Sequence, residues 1–181
     1  MHWNKSGLDD DMDIVVKQTE TNHASLSFRG LECRCSIGEG KITENKFEGD
    51  LCTPAGKWPL RRVFYRKDRL LKPDTSLQTL RISKNMGWSD DPRDDTRYNT
   101  LIKTPYLFSH ETLWRLDSLY DIIVELGYND SPPILGRGSA IFMHLARPNF
   151  EPTAGCVALK KSDLLSLLSL VSHGDLLNIV K

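Results

Sequence analysis

Only one stretch of this 181-residue chain has the spacing of an amphipathic helix. It begins near Ser162, a residue type that caps helices, continues with five leucines between positions 164 and 170, and ends before Gly174. Elsewhere the apolar segments are short and are separated by turn residues, which is typical of β-strands. The sequence therefore predicts a mainly β (α+β) fold, a β-sandwich or barrel with one helix near the C-terminus packed at its edge.

Short apolar segments between turn signals predict the strands. The predicted ranges are 13–18, 24–28, 31–37, 58–66, 77–83, 121–127, 139–145 and 176–180. Residues 84–118 are polar and contain several aromatic side chains, so we expect them either to cover a cleft as a lid or to pack on the sandwich. Residues 1–11 are predicted to form a flexible tail, followed by a single domain over 12–181.

The balance of charge argues against nucleic acid as a partner. Lysine and arginine together number 24, and so do aspartate and glutamate, whereas phosphate binding needs a basic excess or patch. No apolar run approaches the roughly 20 residues that cross a bilayer, so no transmembrane segment is expected. Residues 1–13 are polar and acidic and show no signal peptide.

Two of the four cysteines, Cys33 and Cys35, occupy alternate positions of one predicted strand. Their side chains therefore share one face, where we expect both to be buried as small apolar groups. A Cys-x-Cys spacing is also shorter than the usual separation of zinc ligands, so no metal site is predicted there.

The stretch with the clearest chemical character joins His144 to Cys156, twelve positions later. The thiolate is the attacking form of cysteine, and a nearby imidazole can accept the thiol proton. A strand, a reversing loop and a second strand can bring the two side chains together. Cys156 is thus the candidate nucleophile and His144 the candidate base and acid, although either residue alone is as readily a buried structural side chain.

Gly155, just before the cysteine, lacks a Cβ atom, so its backbone can turn sharply and approach a substrate closely. The amides of Gly155, Cys156 and Val157 are candidates for an oxyanion hole, and the loss of one such donor typically costs about 10²–10³ in rate.

These residues resemble the active-site motif of L,D-transpeptidase (YkuD-type) catalytic domains, in which a His precedes a Ser/Thr-x-Gly-Cys element. The corresponding positions are His144 and Thr153-Ala154-Gly155-Cys156. Upstream, Thr53-Pro54-Ala55-Gly56 is similar to the family's Thr-Pro-x-Gly element. The resemblance covers residues 12–181, is strongest over 49–60 and 136–160, and is greatest to the small proteobacterial branch. It implies an L,D-transpeptidase-like β-sandwich of mixed sheets.

The resemblance implies an acyltransferase of peptidoglycan. In this reading Cys156 attacks an L-centre of a donor stem peptide, and an acceptor amine resolves the thioester; donor and acceptor both contain diaminopimelate. The branch is linked to cross-links between L-Ala and diaminopimelate. Thioester chemistry needs no metal or organic cofactor, so none is expected, and carbapenem β-lactams are the implied inhibitors. The bacterial periplasm or cell envelope is the expected location, with a cytoplasmic location or another export route left open because no signal peptide is visible.

Departures from the family pattern keep two alternatives open. The loop before Thr153 is shorter than in most members, Ala154 replaces a common second His, and Ala158 replaces a common Arg, which leaves Arg147 as the nearest cation. The candidate substrate-binding residues are Arg147, Thr153, Ala154, Val157 and Tyr128. With water as acceptor, the chain is an L,D-carboxypeptidase or another thiol hydrolase; with a cleft too altered for turnover, it is a peptidoglycan-binding domain.

Overall fold

The computed structural model describes residues 13–19 and 22–181. The strands are β1 (Ile14–Gln18), β2 (His23–Phe28), β3 (Leu31–Ser36), β4 (Ile42–Thr43), β5 (Thr53–Pro54), β6 (Gly56–Tyr65), β7 (Gln78–Arg81), β8 (Met86–Ser89), β9 (Leu101–Lys103), β10 (His110–Thr112), β11 (Ile122–Leu126), β12 (Phe142–Leu145), β13 (Val157–Leu159) and β14 (Leu176–Val180). Within these residues the helices are α1 (Lys161–Leu170) and a short 3-10 turn, Pro148–Phe150. The predicted mainly β architecture with a helix near the C-terminus is confirmed, and the predicted tail over 1–11 lies outside the described residues.

Nine of the strands form one mixed sheet that closes on itself. Their order is β11-β12-β13-β3-β2-β1-β14-β6-β7, and β6 pairs with β11 as well. The long strand β6 makes both connections, because its first half pairs with β14 and its second half with β11. A register shift between Val124 and Leu126 accompanies the second pairing, and irregularities of this kind bend a ladder. The strand thereby joins the two layers of the sandwich.

Side-chain alternation along the central strands separates two apolar clusters. The main core lies on one face of β12 and β13 and includes Met143 and Val157. The opposite face of the same strands carries Phe142 and Cys156, which pack under Trp88 in a second cluster. Trp88 belongs to the small sheet β10-β8-β9, which covers this face. Residues 84–118 thus pack on the sandwich, which is one of the two arrangements expected from the sequence.

Helix α1 is bounded differently from the prediction. Its N-cap position is Lys160, with no side-chain cap, whereas Ser162 lies inside the first turn and bonds to Asp163. The helix ends at Leu170 with Val171 as its C-cap, and Gly174, with φ +100°, lies in the turn before β14. Both predicted caps are therefore wrong. Three buried leucines, rather than side-chain caps, stabilise this helix. Among the described helices, none combines the length and apolar character that a membrane crossing requires.

The two cysteines of β3 share one face, but they are not equally buried. Cys35 is fully buried, and burial raises its pKa to about 12. Cys33 is half-buried, and burial raises its pKa to about 11. The prediction of a buried apolar role holds for Cys35 and only partly for Cys33.

Candidate active site

His144 and Cys156 lie on neighbouring strands of the outer face of the closed sheet. Strands β12 and β13 run parallel, with His144 opposite Ala158. Since side chains alternate along a strand, Cys156 and His144 project from the same face, and both line one cavity of about 260 Å³. The structure brings the two residues to one site through a crossover between parallel strands, so the expected reversing loop is wrong.

The Cys156 thiol is held by the backbone of the preceding strand. Its Sγ atom accepts a hydrogen bond from the Phe142 amide at 3.4 Å and donates one to the Ala140 carbonyl at 3.3 Å. Burial raises the pKa of this thiol to about 12, although the Phe142 amide opposes the rise. Within the described residues the sulfur has no hydrogen bond to the His144 ring, so the resting site holds a neutral thiol rather than an ion pair.

The His144 imidazole is oriented by a backbone carbonyl. Its Nδ1 atom lies 2.9 Å from the Leu145 oxygen, and because a carbonyl only accepts, Nδ1 carries the proton and Nε2 keeps its lone pair. Burial lowers the pKa of the ring to about 4. The Tyr120 ring meets the imidazole edge to face, with 5.3 Å between centroids. The histidine is thus a neutral base in a fixed orientation.

Thr153 organises the loop that presents the sulfur. Its hydroxyl donates to the Cys156 carbonyl at 2.6 Å and accepts from the Gly155 amide at 3.1 Å. Thr153 lines the cavity, but its hydroxyl is engaged within the loop rather than offered to a ligand. The Gly155 amide is bonded to Thr153 in the same way, so the predicted oxyanion donor is not open to the cavity in this state.

The upstream Thr-Pro-x-Gly element supports this loop from behind. Thr53 is fully buried, and its hydroxyl accepts the Gly38 amide at 2.8 Å. Gly38 forms a parallel bridge with Thr153. The Cys52 carbonyl stands directly behind Gly155, where an added Cβ atom would lie 2.7 Å from its oxygen. The two elements that carry the family resemblance therefore form one scaffold around the thiol.

Replacing Gly155 with alanine is expected to displace the Cys156 loop. Gly155 has φ +132°, and its new Cβ atom would meet the Cys52 oxygen at 2.7 Å, so the backbone must shift. Strain of this kind costs about 1–3 kcal/mol, and a misplaced nucleophile reacts about 10²-fold more slowly. The measurement is the rate of thiol acylation at saturating reagent, together with the free energy of unfolding.

The matched control is Gly30→Ala. Gly30 also has positive φ, +82°, but an added Cβ atom there meets nothing within 4 Å. This variant should lose some stability and keep the acylation rate. Equal rates for both alanine variants would contradict the positioning role of Gly155.

Two of the predicted substrate-binding residues lie where they were expected. Arg147 and Ala154 both line the cavity. The Arg147 guanidinium stands 3.6 Å from the Glu151 carboxylate, and both side chains are largely exposed. They form an ion pair at the rim.

Two other predicted substrate-binding residues lie away from the cavity. Val157 belongs to the main core, because the alternation that turns Cys156 outward turns Val157 inward. Tyr128 packs edge-on against Trp58, with 4.9 Å between centroids, and its hydroxyl donates to the Arg137 carbonyl. The predictions for Val157 and Tyr128 are therefore wrong.

Three residues of the cavity were missed in the sequence. Glu111 from β10, Arg115 and Tyr120 all line it. The Arg115 Nη1 atom lies 3.4 Å from a Glu111 oxygen, and the Tyr120 hydroxyl also interacts with this carboxylate. An acidic and a basic residue four positions apart are visible in the sequence, but nothing there shows that the small sheet brings them to the cavity of Cys156.

Elsewhere on the described surface, Cys52 borders one cavity and His173 borders another, and neither cavity holds both a cysteine and a histidine. A larger cavity of about 450 Å³ lies between residues 83 and 106, and neither cysteine nor histidine lines it. In the ranges 13–19 and 22–181, no cluster of three or more His, Cys, Asp or Glu side chains could hold a metal ion.

A comparison with protein-family profiles identifies the family of this chain. A family profile described as YkuD, L,D-transpeptidase catalytic domain, matches residues 14–179. No curated protein matches the chain. A solved structure of Bdellovibrio bacteriovorus Bd1075 is similar at 14% identity and a TM-score of 0.45, and the match covers 97% of this chain and 50% of that one. The chain thus spans about half the length of that structure.

Proposed function

Because the chain belongs to the YkuD family of L,D-transpeptidase catalytic domains, we propose that it cross-links peptidoglycan stem peptides through a thioester on Cys156. One observation carries the proposal: a single cavity holds the thiol and an imidazole whose Nε2 lone pair is available. The donor and acceptor are diaminopimelate-containing peptides, a link between L-Ala and diaminopimelate is a candidate product, and the site of action is the bacterial envelope.

Acylation is the first half of the proposed reaction. The thiol proton leaves its bond to the Ala140 carbonyl and passes to Nε2 of His144 as the sulfur attacks the peptide carbonyl. Since burial disfavours charge on both partners, proton transfer accompanies the attack rather than preceding it. The carbon–nitrogen bond then breaks, His144 returns the proton to the leaving amine, and a thioester remains.

Aminolysis is the second half. An acceptor amine attacks the thioester carbonyl, a carbon–nitrogen bond forms and the carbon–sulfur bond breaks. His144 receives a proton from the attacking nitrogen and gives it to the departing sulfur. The ring is neutral at the start and at the end of each half, as a pKa of about 4 requires at neutral pH.

The test is incubation of the protein with purified diaminopimelate-containing muropeptides. Intact-mass measurement should show one acyl group added, tandem mass spectrometry should place it on Cys156, and cross-linked dimers should accumulate. The Cys156→Ala variant should stay unmodified. An unmodified wild-type protein and unchanged muropeptides would refute the proposal.

The same experiment separates the other candidate functions. A thioester that yields only shortened, uncross-linked peptides identifies an L,D-carboxypeptidase. A peptidoglycan-binding domain without turnover carries the same neutral thiol and forms no adduct. A carbapenem gives an independent probe, because its β-lactam carbonyl should acylate the same sulfur in equal stoichiometry.

A further inference from the structure

We propose that Glu111 and Arg115 form the acceptor subsite: they bind an amino-acid centre that carries an ammonium and a carboxylate on one carbon, and Glu111 accepts the first proton of that ammonium. This inference rests on the proposed function and specifies its second half. Diaminopimelate ends in a centre of this kind.

The small sheet fixes Glu111 over the nucleophile. Glu111 pairs with Trp88 between β10 and β8, and the Trp88 ring packs edge-on against Phe142, with 5.1 Å between centroids. Phe142 lies on the same strand and the same face as His144. The Glu111 side chain is about one third exposed, 32%, which leaves its carboxylate reachable from the cavity.

The Arg115 guanidinium is held with one nitrogen toward this carboxylate. Its Nε and Nη2 atoms donate to Asp117 at 2.8 and 2.7 Å. Its Nη1 atom faces Glu111 at 3.4 Å, a long contact between partly exposed groups. A ligand with both charges on one carbon can therefore place its ammonium against Glu111 and its carboxylate against Nη1.

Glu111 lies in the cavity of Cys156, near the place where an acceptor nitrogen must enter. Transpeptidation exchanges one amine for another on the same carbonyl carbon, so the entering nitrogen occupies the space that the leaving nitrogen vacates. In this cavity that space adjoins Cys156, whose pKa is raised by burial and further by the negative charge of Glu111. A cationic acceptor group is favoured beside such a carboxylate.

The second half-reaction needs a proton acceptor besides His144. An alkyl ammonium has a pKa of about 10 and no lone pair at neutral pH. It must lose one proton before attack and a second during attack, and His144 handles only the second. Burial raises the pKa of Glu111, against the opposing charge of Arg115. Proton transfer from the ammonium to Glu111 replaces two charges with a neutral acid and a neutral amine. In this half-buried place the loss of both charges lowers the free-energy cost of the transfer.

The ammonium gives one proton to the Glu111 carboxylate and becomes an amine. Its nitrogen bonds to the thioester carbon, the carbon–sulfur bond breaks, and the nitrogen's second proton passes through His144 to the sulfur. Glu111 then releases its proton to solvent. Two other groups act on the Glu111 pKa: the hydrogen bond from Tyr120 lowers it, and the negative charge of Asp90 raises it.

The test compares the two half-reactions in Glu111→Gln, which keeps the shape of the side chain and removes its charge. Muropeptides serve as donor and acceptor, and mass spectrometry measures the thioester and the ratio of cross-linked to hydrolysed product. Thioester formation should stay within about threefold of wild type. The product ratio should fall by about 10²-fold near neutral pH.

Alkaline pH should restore the ratio of cross-linked to hydrolysed product in Glu111→Gln. From pH 7 to about pH 9 the neutral fraction of the acceptor amine grows about 100-fold, so the variant should approach wild type. Glu32→Gln is the matched control, because Glu32 is exposed on β3 and does not line this cavity. It should keep the wild-type ratio at every pH.

Each remaining outcome overturns the inference. An unchanged product ratio in Glu111→Gln removes the acceptor role while leaving the transpeptidase proposal intact. A parallel fall of both half-reactions, without recovery at alkaline pH, shows that Glu111 is structural. Absence of any thioester in the wild-type protein refutes the proposed function itself, and the acceptor subsite with it.

Discussion

Replacing His144 with asparagine is expected to slow acylation of Cys156 by about 10²–10⁴-fold, the usual contribution of a general base. The asparagine amide nitrogen can take the place of Nδ1 and donate to the Leu145 carbonyl, which His144 contacts at 2.9 Å. It has no atom that can accept the thiol proton. Stopped-flow measurement of carbapenem acylation gives the rate, and circular dichroism checks the fold. A loss below about tenfold would contradict the role of His144 as base.

The pH dependence of acylation follows from the two neutral groups. His144 accepts a proton only when it is neutral, which is above its pKa of about 4. The thiol keeps its proton up to a pKa of about 12. The wild-type rate should therefore rise through pH 4 and stay level across the neutral range. A rising limb near 6.5, the ordinary pKa of histidine, would show that the ring is not desolvated in the reacting protein.

The pH dependence of the free energy of unfolding, compared between wild type and His144→Asn, measures the shift in the pKa of His144. The folded-state pKa of about 4 is below the ordinary value of 6.5, so between these values the unfolded chain binds a proton that the folded chain does not. The free energy of unfolding of wild type should fall as pH drops through this window, by up to about 1.4 kcal/mol per pH unit. His144→Asn should lack this component, and the difference between the two slopes isolates it.

The pairing of His144 with Cys156 in one cavity could be predicted from the sequence because local patterns indicate it. His144 ends an apolar strand segment, and Cys156 follows a glycine that needs φ +132°. Strand alternation then places both on one face. The same alternation excludes Val157, which was predicted to bind substrate although it sits one position from Cys156 and must point into the core. Strand alternation could have been applied to Val157, but the sequence did not show that β13 begins at this residue.

The acceptor side of the cavity was out of reach of the sequence for a different reason. Glu111 is separated from Cys156 by 45 positions and shares its cavity only because the small sheet β10-β8-β9 packs on the nine-stranded sheet. That contact depends on Trp88 and Phe142 meeting across two layers, which no periodicity within either segment specifies. The prediction for Tyr128 was wrong for the opposite reason. Tyr128 is close in sequence to the strand that carries His144, yet its ring packs on Trp58 and not in the cavity.

Replacing Asp50 with asparagine is expected to destabilise the fold by about 3–5 kcal/mol, because it leaves a buried cation without its counter-charge. Lys46 and Asp50 form an ion pair whose side chains are 5% and 4% exposed. Asp50 also accepts the amides of Phe47 at 2.9 Å and Cys52 at 2.8 Å. Asparagine keeps an oxygen for one amide but removes the charge. Urea denaturation monitored by tryptophan fluorescence gives the free energy of unfolding.

Two further variants distinguish the buried pair from ordinary surface charge. Asp130→Asn removes the partner of Arg61, 2.9 Å away, but the two side chains are 42% and 25% exposed, Arg61 first. Its cost should stay within about 1 kcal/mol. The double variant Lys46→Met/Asp50→Asn should be more stable than Asp50→Asn alone, since it buries no unpaired charge. A single variant within about 1 kcal/mol of wild type would contradict the argument.

In acid, wild type and Asp50→Asn should have the same free energy of unfolding. Although burial opposes it, the Lys46 ammonium and the Phe47 and Cys52 amides hold the pKa of Asp50 below its ordinary 3.8. A carboxylate with a depressed pKa stabilises the fold above its ordinary pKa and loses that contribution as pH falls through the folded value. The two unfolding free energies should therefore diverge at neutral pH and converge in strong acid. A gap that persists unchanged into acid would assign the effect to the lost amide bonds and not to the charge of Lys46.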